Sequence, residues 1–323
     1  MSLHPGTRIK HYVIEDRLGG GGMGAVWRAR DTKHNELVAI KAVANDLIQD
    51  PEFRIRMQDE ARRHQRLHHP NIVPVPEVFE AEGQTCIVMK LIEGRSLSTM
   101  LENSPDNRLD VEEATRIVKD VLDALNYAHR NGIVHRDVKP SNVMMDHNDK
   151  VWLLDFGIAI AMGEQRRTRT GQVVGTLSYM SPEQISKPRT IDHRSDVYSV
   201  GCMFYEMLTG RPPFVKSKDG VGDSDFAMQQ AHVNKQPRSP KSRVSGIPDD
   251  LNDIVMAALV KNADDRIPGC GEFLRLLEQL GTDSDGRKDS ASLINPHRAL
   301  LLKWVMGFLM AGVLIFLAFR FLN

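Results

Sequence analysis

The sequence predicts an α+β fold of two lobes followed by a C-terminal membrane helix. Up to about residue 91, short runs rich in β-branched and aromatic residues predict strands, with one helix among them. From about residue 97 onward, apolar residues recur at helical spacing. The chain ends in an uncharged apolar stretch of membrane-spanning length. We therefore expect a small, mainly β N-terminal lobe, a larger, mainly α C-terminal lobe and a single transmembrane helix.

The amino-acid composition limits the kinds of partner that the protein is expected to bind and the cellular compartment in which it is expected to lie. The 323 residues, 41% of them hydrophobic, can bury a sizeable core. Basic and acidic residues balance at 42 each, which gives no electrostatic case for a nucleic-acid partner. Cys86, Cys202 and Cys270 stand far apart without metal-ligand spacing, which favours reduced thiols in the cytosol. The first twelve residues contain no apolar run, so no signal peptide is expected.

The first element that points to a ligand is the stretch LGGGGMGAVWRAR, residues 18–30, with five glycines within six positions. Strand-like residues flank it, so the glycines are predicted to form the tip of a hairpin, where bare backbone can approach a ligand. Gly19, Gly21 and Gly24 fit the pattern G-x-G-x-x-G. The dinucleotide-binding form of this pattern requires a helix directly afterwards, whereas the chain continues as strands, and no P-loop motif occurs.

A lysine and a glutamate follow the hairpin. Lys41 ends the run VAIK on a predicted strand, from which a lysine can reach the α- and β-phosphates of a nucleotide. Residues 51–70 predict a helix, because their apolar residues recur at helical spacing, and Glu60 lies midway along it. Glu60 is either the ion-pair partner that aims Lys41 or one solvated charge among many on this helix.

Two motifs in the second lobe indicate the family. HRDVKPSNVMM begins at His135 and DFG begins at Asp155. With LGGGGMGAVW, HPNIV, GTLSYMSPEQ and SDVYSVGCMFYEMLTGRPPF, in order over about residues 9–280, they make the chain similar to the eukaryotic-like (Hanks-type) serine/threonine protein kinases of bacteria. The resemblance implies the bilobal protein kinase fold, with an N-lobe over residues 9–92 and a C-lobe over residues 93–280. It implies an ATP-dependent transferase acting on Ser and Thr hydroxyls of proteins.

The resemblance assigns the chemistry to the matching motif positions. Asp137 would orient the substrate hydroxyl and accept its proton, with Lys139 near the γ-phosphate. Asn142 and Asp155 would hold Mg²⁺, or Mn²⁺ in its place, against the phosphates of ATP, because a hard cation takes oxygen ligands.

The nucleotide site follows from the same resemblance. The implied flap residues are Gly19, Gly20, Gly21, Gly22, Met23 and Gly24, and the implied adenine-site residues are Leu18, Val26, Ala39, Met89, Lys90, Ile92 and Met144. Met89 would be the gatekeeper, while Lys90 and Ile92 would read the adenine edge through their backbone. Lys41 would contact the phosphates, aimed by an ion pair with Glu60. The family commonly has an acidic residue in place of Lys90, but a backbone contact does not depend on that side chain.

The resemblance also places an activation segment between Asp155 and Glu183. Thr168 and Thr170 stand where related kinases autophosphorylate, and Arg136 is the natural partner of the added phosphate.

The remaining implied residues are structural. Thr176 would hydrogen-bond to the catalytic aspartate and lysine, and Asp196 would brace the backbone of the catalytic loop. Glu183 would form a buried salt bridge with Arg266.

The C-terminal tail is expected to anchor the protein. Residues 281–298 are polar and predict a juxtamembrane linker, and residues 299–322 predict the transmembrane helix, about 36 Å long at 1.5 Å per residue. Lys303 and Arg320 flank the uncharged run, and Arg298 and Lys303 favour a cytoplasmic kinase domain on the inner face of the cell membrane. The alternative is a buried or docking helix.

The sequence thus predicts a membrane-anchored kinase that autophosphorylates and then phosphorylates cytosolic proteins. The alternative is a membrane-anchored pseudokinase scaffold, but such proteins usually lose the lysine or an aspartate that is present here at Lys41, Asp137 and Asp155. Kinases of this group often act in pairs, so a homodimer is compatible with the resemblance, although no sequence feature establishes one.

Overall fold

The structure is a computed structural model of the 323-residue chain. It describes residues 3–21, 24–43, 51–81, 83–156, 177–187 and 191–282. Residues 283–298 of the predicted linker (residues 281–298) and the predicted membrane span at residues 299–322 lie outside the described residues, whereas residues 281 and 282 belong to the last described helix. Among the residues described, no helix is both long and apolar enough to cross a membrane.

The N-terminal lobe is a six-stranded antiparallel sheet with one helix, as predicted. Its strands are β1 (Arg8–Ile9), β2 (Tyr12–Gly21), β3 (Gly24–Asp31), β4 (Glu36–Val43), β5 (Glu77–Ala81) and β6 (Gln84–Lys90), and the helix is α1 (Pro51–His64). In space the strands follow the order β1-β2-β3-β4-β6-β5. Helix α1 ends at His64, six residues before the predicted end at Pro70, and Arg66 and Leu67 close two further turns.

Strand β4 separates the two hydrophobic clusters of this lobe. Successive side chains of a strand point to opposite faces of its sheet. Val38, Ile40 and Ala42 pack into one cluster, with Trp27 of β3. Ala39 and Val43 pack into the other cluster, which includes residues of β6 and of α1. Lys41 lies between Ala39 and Val43 along β4 and on the same face of the strand. Its side chain therefore points toward the face of the sheet that α1 covers.

The C-terminal lobe is mainly helical. Its helices are α2 (Leu97–Asn103), α3 (Val111–Arg130), α4 (Pro182–Ser186), α5 (Arg194–Thr209), α6 (Asp225–Asn234), α7 (Asp249–Ala258) and α8 (Cys270–Thr282). Asp110 caps α3 by accepting a hydrogen bond from the Glu113 N–H at 2.8 Å, which satisfies one of the donors that a helix start leaves free. Helix α5 is buried along almost its whole length and packs against α3 and α7, so it forms the centre of this lobe.

A small antiparallel sheet lies within this helical lobe and was not predicted. Its strands are β7 (Gly94–Ser96), β8 (Val143–Asp146) and β9 (Val151–Leu153), in the order β7-β8-β9. Because β8 follows the segment 135–142 directly and β9 leads into Asp155, the sheet holds the two chemistry-bearing motifs side by side. The Leu154 N–H donates to the Asn142 carbonyl at 2.9 Å, which ties the motifs together.

Candidate active site

The glycine-rich hairpin is formed by β2 and β3. Gly19 pairs with Val26, Gly20 with Ala25 and Gly21 with Gly24. Gly24 has a φ of 126°, and a side chain there would overlap the Ala42 carbonyl of β4, so this position requires glycine. Gly22 and Met23, at the tip, lie outside the described residues.

The residues implied to hold adenine come together in one apolar cluster, although the sequence separates them by more than a hundred positions. Ala39, Met89 and Ile92 are buried in it, and Val26 and Met144 pack against it. Leu18 remains 49% exposed beside the glycines.

Lys90, which the resemblance implies to read the adenine edge through its backbone, has defined partners. Its N–H donates to the Pro74 carbonyl at 3.0 Å, so an adenine contact by Lys90 must use its carbonyl. Its ammonium lies 4.5 Å from the ring centre of Trp152, so the lysine side chain that is unusual at this position makes a cation–π contact.

The catalytic loop places Asp137, Lys139 and Asn142 in mutual contact. The Lys139 ammonium lies 2.7 Å from Asp137 Oδ2, and the Asn142 amide donates to the same oxygen at 3.0 Å and to the Asp137 carbonyl at 2.8 Å. Asp137 Oδ1 is buried and has no hydrogen-bond partner among the described residues. A buried oxygen without a partner costs free energy, so a further donor, from a ligand or from a residue outside the described ranges, is expected at this oxygen.

Asp196, at the start of α5, braces this loop. Its carboxylate accepts hydrogen bonds from the His135 N–H at 2.8 Å and the Arg136 N–H at 2.7 Å. His129 Nε2 lies 2.7 Å from the same carboxylate. Burial acts to raise the pKa of Asp196, but the contact with His129 and the backbone donors outweigh it, so the pKa is lowered and the carboxylate stays ionised. Arg136 is held at a φ of 67°, a strained conformation for arginine that these bonds maintain.

Asp155 follows β9 and turns toward the N-terminal lobe. Its carboxylate lies 2.9 Å from the Lys41 ammonium. Burial acts to raise its pKa, but the ion pair with Lys41 outweighs it and holds the pKa below the ordinary value. The next residue, Phe156, packs between His64 of α1 and His135, with ring centres 5.0 and 4.6 Å away. The carboxylate oxygens of Asp155 and the amide oxygen of Asn142 are hard donors, which fit a divalent cation such as Mg²⁺.

Lys41 and Glu60 have different partners from those that the resemblance implies. Lys41 contacts Asp155, and Glu60 Oε1 accepts a hydrogen bond from Arg136 Nη1 at 3.2 Å. The physical reason is that each charge lies within reach of an opposite charge in the C-terminal lobe. Arg136, the expected partner of an activation-segment phosphate, is thus engaged with α1.

The predicted architectural salt bridge is formed. Arg266 Nη1 and Nη2 lie 2.8 and 3.0 Å from the two oxygens of Glu183, and Arg266 is 2% exposed. Ser195 Oγ also donates to Glu183 at 2.7 Å. Burial acts to raise the pKa of Glu183, but the Arg266 contact outweighs it and lowers the pKa, so the pair stays charged.

One contact of the catalytic loop was not predicted from the sequence. The Gln184 amide donates to the Arg136 carbonyl at 2.7 Å, and with Ser181 it forms the capping box of α4. The S-x-x-Q spacing within SPEQ was the available signal. Thr168, Thr170 and Thr176 lie outside the described residues and stay predictions.

The fold and the site define a class of protein, a two-lobed domain whose β-rich lobe carries a glycine-rich hairpin. The protein kinase domain model matches residues 12–275. Serine/threonine-protein kinase PknB of Mycobacterium leprae is 41% identical over 267 residues, which cover 81% of this chain and 42% of that protein. Serine/threonine-protein kinase PknE of Mycobacterium bovis is 38% identical over 268 residues, 83% of this chain and 46% of that protein.

A crystal structure of the Mycobacterium tuberculosis PknI kinase domain aligns with a TM-score of 0.69 at 28% identity, over 86% of this chain and 99% of that one. The chain belongs to the protein kinase family. It spans less than half the length of the curated relatives that it matches.

Proposed function

We propose that this protein is an active, ATP-dependent serine/threonine kinase. The observation that supports this proposal most is the buried Oδ1 of Asp137, which has no hydrogen-bond partner among the described residues and lies beside Lys139 and Asn142. A scaffold that only binds nucleotide has no use for a carboxylate oxygen arranged in this way, whereas phosphoryl transfer requires an acceptor for the substrate proton.

Each residue of the site has a separate role in the proposed reaction. Asp137 Oδ1 accepts the proton of a Ser or Thr hydroxyl as the hydroxyl oxygen bonds to the γ-phosphorus. The bond between the γ-phosphorus and the β–γ bridging oxygen breaks, and ADP leaves. Lys139 offsets the charge on the transferred phosphoryl group. Lys41, which contacts Asp155 in the structure, pairs with the α- and β-phosphates when ATP is bound. Asp155 and Asn142 would hold Mg²⁺, which would supply charge neutralisation of the phosphates.

The experiment compares the full chain in detergent with two substitutions. Wild type should transfer label from γ-labelled ATP and Mg²⁺, and Asp137→Asn should abolish transfer while it retains ATP binding. Asp253→Asn, on the exposed face of α7, is the matched control and should behave as wild type. ATP binding without transfer in wild type would instead favour a membrane-anchored pseudokinase scaffold.

We also propose that the chain is anchored in the cell membrane by residues 299–322, with the kinase domain in the cytoplasm. An uncharged run from Trp304 to Phe319, with Lys303 and Arg320 at its edges, supports this proposal. Digestion of the kinase domain by a protease added outside intact cells would contradict the orientation.

Label on Thr168 or Thr170, mapped by mass spectrometry, would support activation by autophosphorylation.

A further inference from the structure

A group of positively charged side chains lies in the C-terminal lobe, outside the active site described above. At its centre is Asp219, in the loop between α5 and α6. Arg243 Nη2 donates to Asp219 Oδ2 at 2.6 Å, and Arg211 Nη1 lies 3.6 Å from the same oxygen. Arg238 Nη1 lies 3.6 Å from Asp219 Oδ1. Three guanidinium groups, from both sides of α6 in the sequence, thus converge on one carboxylate, and we call these four residues the Asp219 cluster.

Two members of the cluster are buried and two reach the surface. The Arg243 side chain is only 7% exposed, and its Nε donates to Tyr205 Oη of α5, which fixes the orientation of the guanidinium group. The Asp219 side chain is 13% exposed. The side chains of Arg211 and Arg238 are 35% and 67% exposed. The cluster therefore has a buried floor and an accessible rim of two arginines.

Positive charge exceeds negative charge in this cluster. Within the described part of the chain, no carboxylate other than that of Asp219 forms a salt bridge with Arg211, Arg238 or Arg243. The Lys235 ammonium, which donates to the Asp219 backbone carbonyl, adds a fourth cation. One carboxylate among four cations leaves an excess of three positive charges.

The two rim arginines also have hydrogen-bond donors that the fold does not use. A guanidinium group carries five N–H donors. At 3.6 Å, the contacts of Arg211 and Arg238 with Asp219 are too long to be hydrogen bonds. Neither guanidinium donates a hydrogen bond to any other residue that the structure describes. Both groups are therefore charged, accessible and able to bind an anion.

A phosphate monoester fits this cluster better than a second carboxylate does. It carries a charge of about −1.5 to −2 at pH 7 and has three acceptor oxygens. The planar fork of arginine binds phosphate oxygens in pairs, and such charge-assisted hydrogen bonds are about twice as strong as neutral ones. Asp219 holds the like-charged arginines together, while its own negative charge opposes the bound anion, which favours reversible binding.

We propose that the Asp219 cluster is a docking site for the phosphate of a phosphorylated serine or threonine in a partner protein. Arg211 and Arg238 donate to the phosphate oxygens, while Arg243 and Asp219 hold the rim in place. The choice of a phosphorylated protein as the ligand rests on the proposed function, because a serine/threonine kinase produces such groups. A substrate that already carries one phosphate is then retained for further transfer.

The test is a binding titration with the full chain in detergent. The probe is a fluorescent peptide with one phosphoserine between alanine and glycine residues, and saturating ADP and Mg²⁺ are present to occupy the nucleotide site. Fluorescence anisotropy should show that the phosphopeptide binds at least about tenfold more tightly than its unphosphorylated form. Arg211→Gln combined with Arg238→Gln should weaken phosphopeptide binding by about tenfold or more, and Arg238→Gln alone by about threefold.

Matched substitutions separate a specific site from general positive charge. Lys216→Gln combined with Lys241→Gln removes the same two charges from exposed lysines of the same two loops, each of which pairs with its own carboxylate. This variant should change the affinity less than about twofold at physiological salt, where exposed charges are screened over about 8 Å. Asp219→Asn removes the opposing negative charge and keeps an acceptor oxygen for Arg243, so it should tighten binding about threefold.

Three results would overturn the proposal. They are the absence of phosphate-dependent binding by the wild type, binding that the two arginine substitutions leave unchanged, and a preference for short-chain phosphatidic acid or inorganic phosphate over the phosphopeptide. Thermal melts check that the arginine variants are folded. Asp137→Asn should bind the phosphopeptide as the wild type does, so failure of the docking site and failure of the proposed kinase activity are seen in separate assays.

Discussion

Ionisable side chains are partly or fully buried both around the catalytic loop and in the C-terminal lobe, but the groups that contact them differ. Around the catalytic loop, each buried carboxylate meets an opposite charge or backbone donors: Asp155 meets Lys41, and Asp196 meets His129 and two N–H groups. Inside the C-terminal lobe, Glu206 and Lys261 meet tyrosine hydroxyl groups. The first arrangement fixes charges, whereas the second shifts pKa values toward the neutral form.

Asp137→Asn should give the largest effect, because it removes the proton acceptor from the region of fixed charges. Loss of a general base typically costs 10²- to 10⁴-fold in rate, and we expect a fall of about 10³-fold in phosphate transfer with little change in ATP affinity. Steady-state transfer from labelled ATP and a separate nucleotide-binding titration measure the two quantities. Retention of more than a tenth of the wild-type rate would remove Asp137 from this role.

Glu183→Ala should give the largest loss of stability. It leaves the Arg266 guanidinium buried without its carboxylate, although the Val260, Lys261 and Arg194 carbonyls still accept from it. Breaking a buried pair from one side typically costs about 3–5 kcal/mol in the free energy of unfolding. Denaturant melts of the full chain measure this value.

The matched control for that prediction is Asp249→Ala. It breaks the pair with Lys241, in which Asp249 is 75% exposed. Exposed pairs contribute about 0–1 kcal/mol. Equal losses from the two substitutions would show that burial does not distinguish the two salt bridges.

Glu206→Gln tests the region where charges are avoided. Burial raises the pKa of Glu206 from 4.5 to about 7, while the hydrogen bond from Tyr179 at 2.5 Å acts against this rise. Because the folded pKa is above the unfolded one, the protonated carboxyl contributes stability below about pH 4.5, and this contribution is lost as the pH rises through 7. Glutamine is neutral at every pH in this range, so the variant does not lose this contribution to stability.

The expected result is therefore a pH-dependent gain. Relative to wild type, Glu206→Gln should become more stable by roughly 2–3 kcal/mol between pH 4.5 and pH 8, with the change concentrated between the two pKa values. Thermal or denaturant melts at pH 4.5, 6 and 8 measure it. A stability difference that does not change with pH would contradict the raised pKa, whatever its absolute size.

The sequence motifs predicted most of the site, including the distant Glu183–Arg266 pair, but missed short strands and two contacts between the lobes. The strands around the glycines and helices such as α3 followed from local periodicity, and Asp137, Lys139 and Asn142 lie within six residues of one another, so their contact is nearly local. The sheet β7-β8-β9 was missed because strands of three or four residues leave no period to detect. The Lys41–Asp155 and Arg136–Glu60 contacts depend on where α1 lies, which no local pattern specifies.

Lys90→Glu should give the smallest effect and adds a third environment to the comparison, a charge at the surface. The side chain is exposed and contacts Trp152, while the backbone N–H is bonded to Pro74. An adenine contact through the carbonyl does not involve the side chain, so ATP affinity should change less than about twofold. Loss of an exposed cation–π contact should cost about 0.5–1 kcal/mol in stability. Nucleotide titration and denaturant melts measure these values, and a tenfold loss of ATP affinity would show that the Lys90 side chain, rather than its backbone, faces the nucleotide.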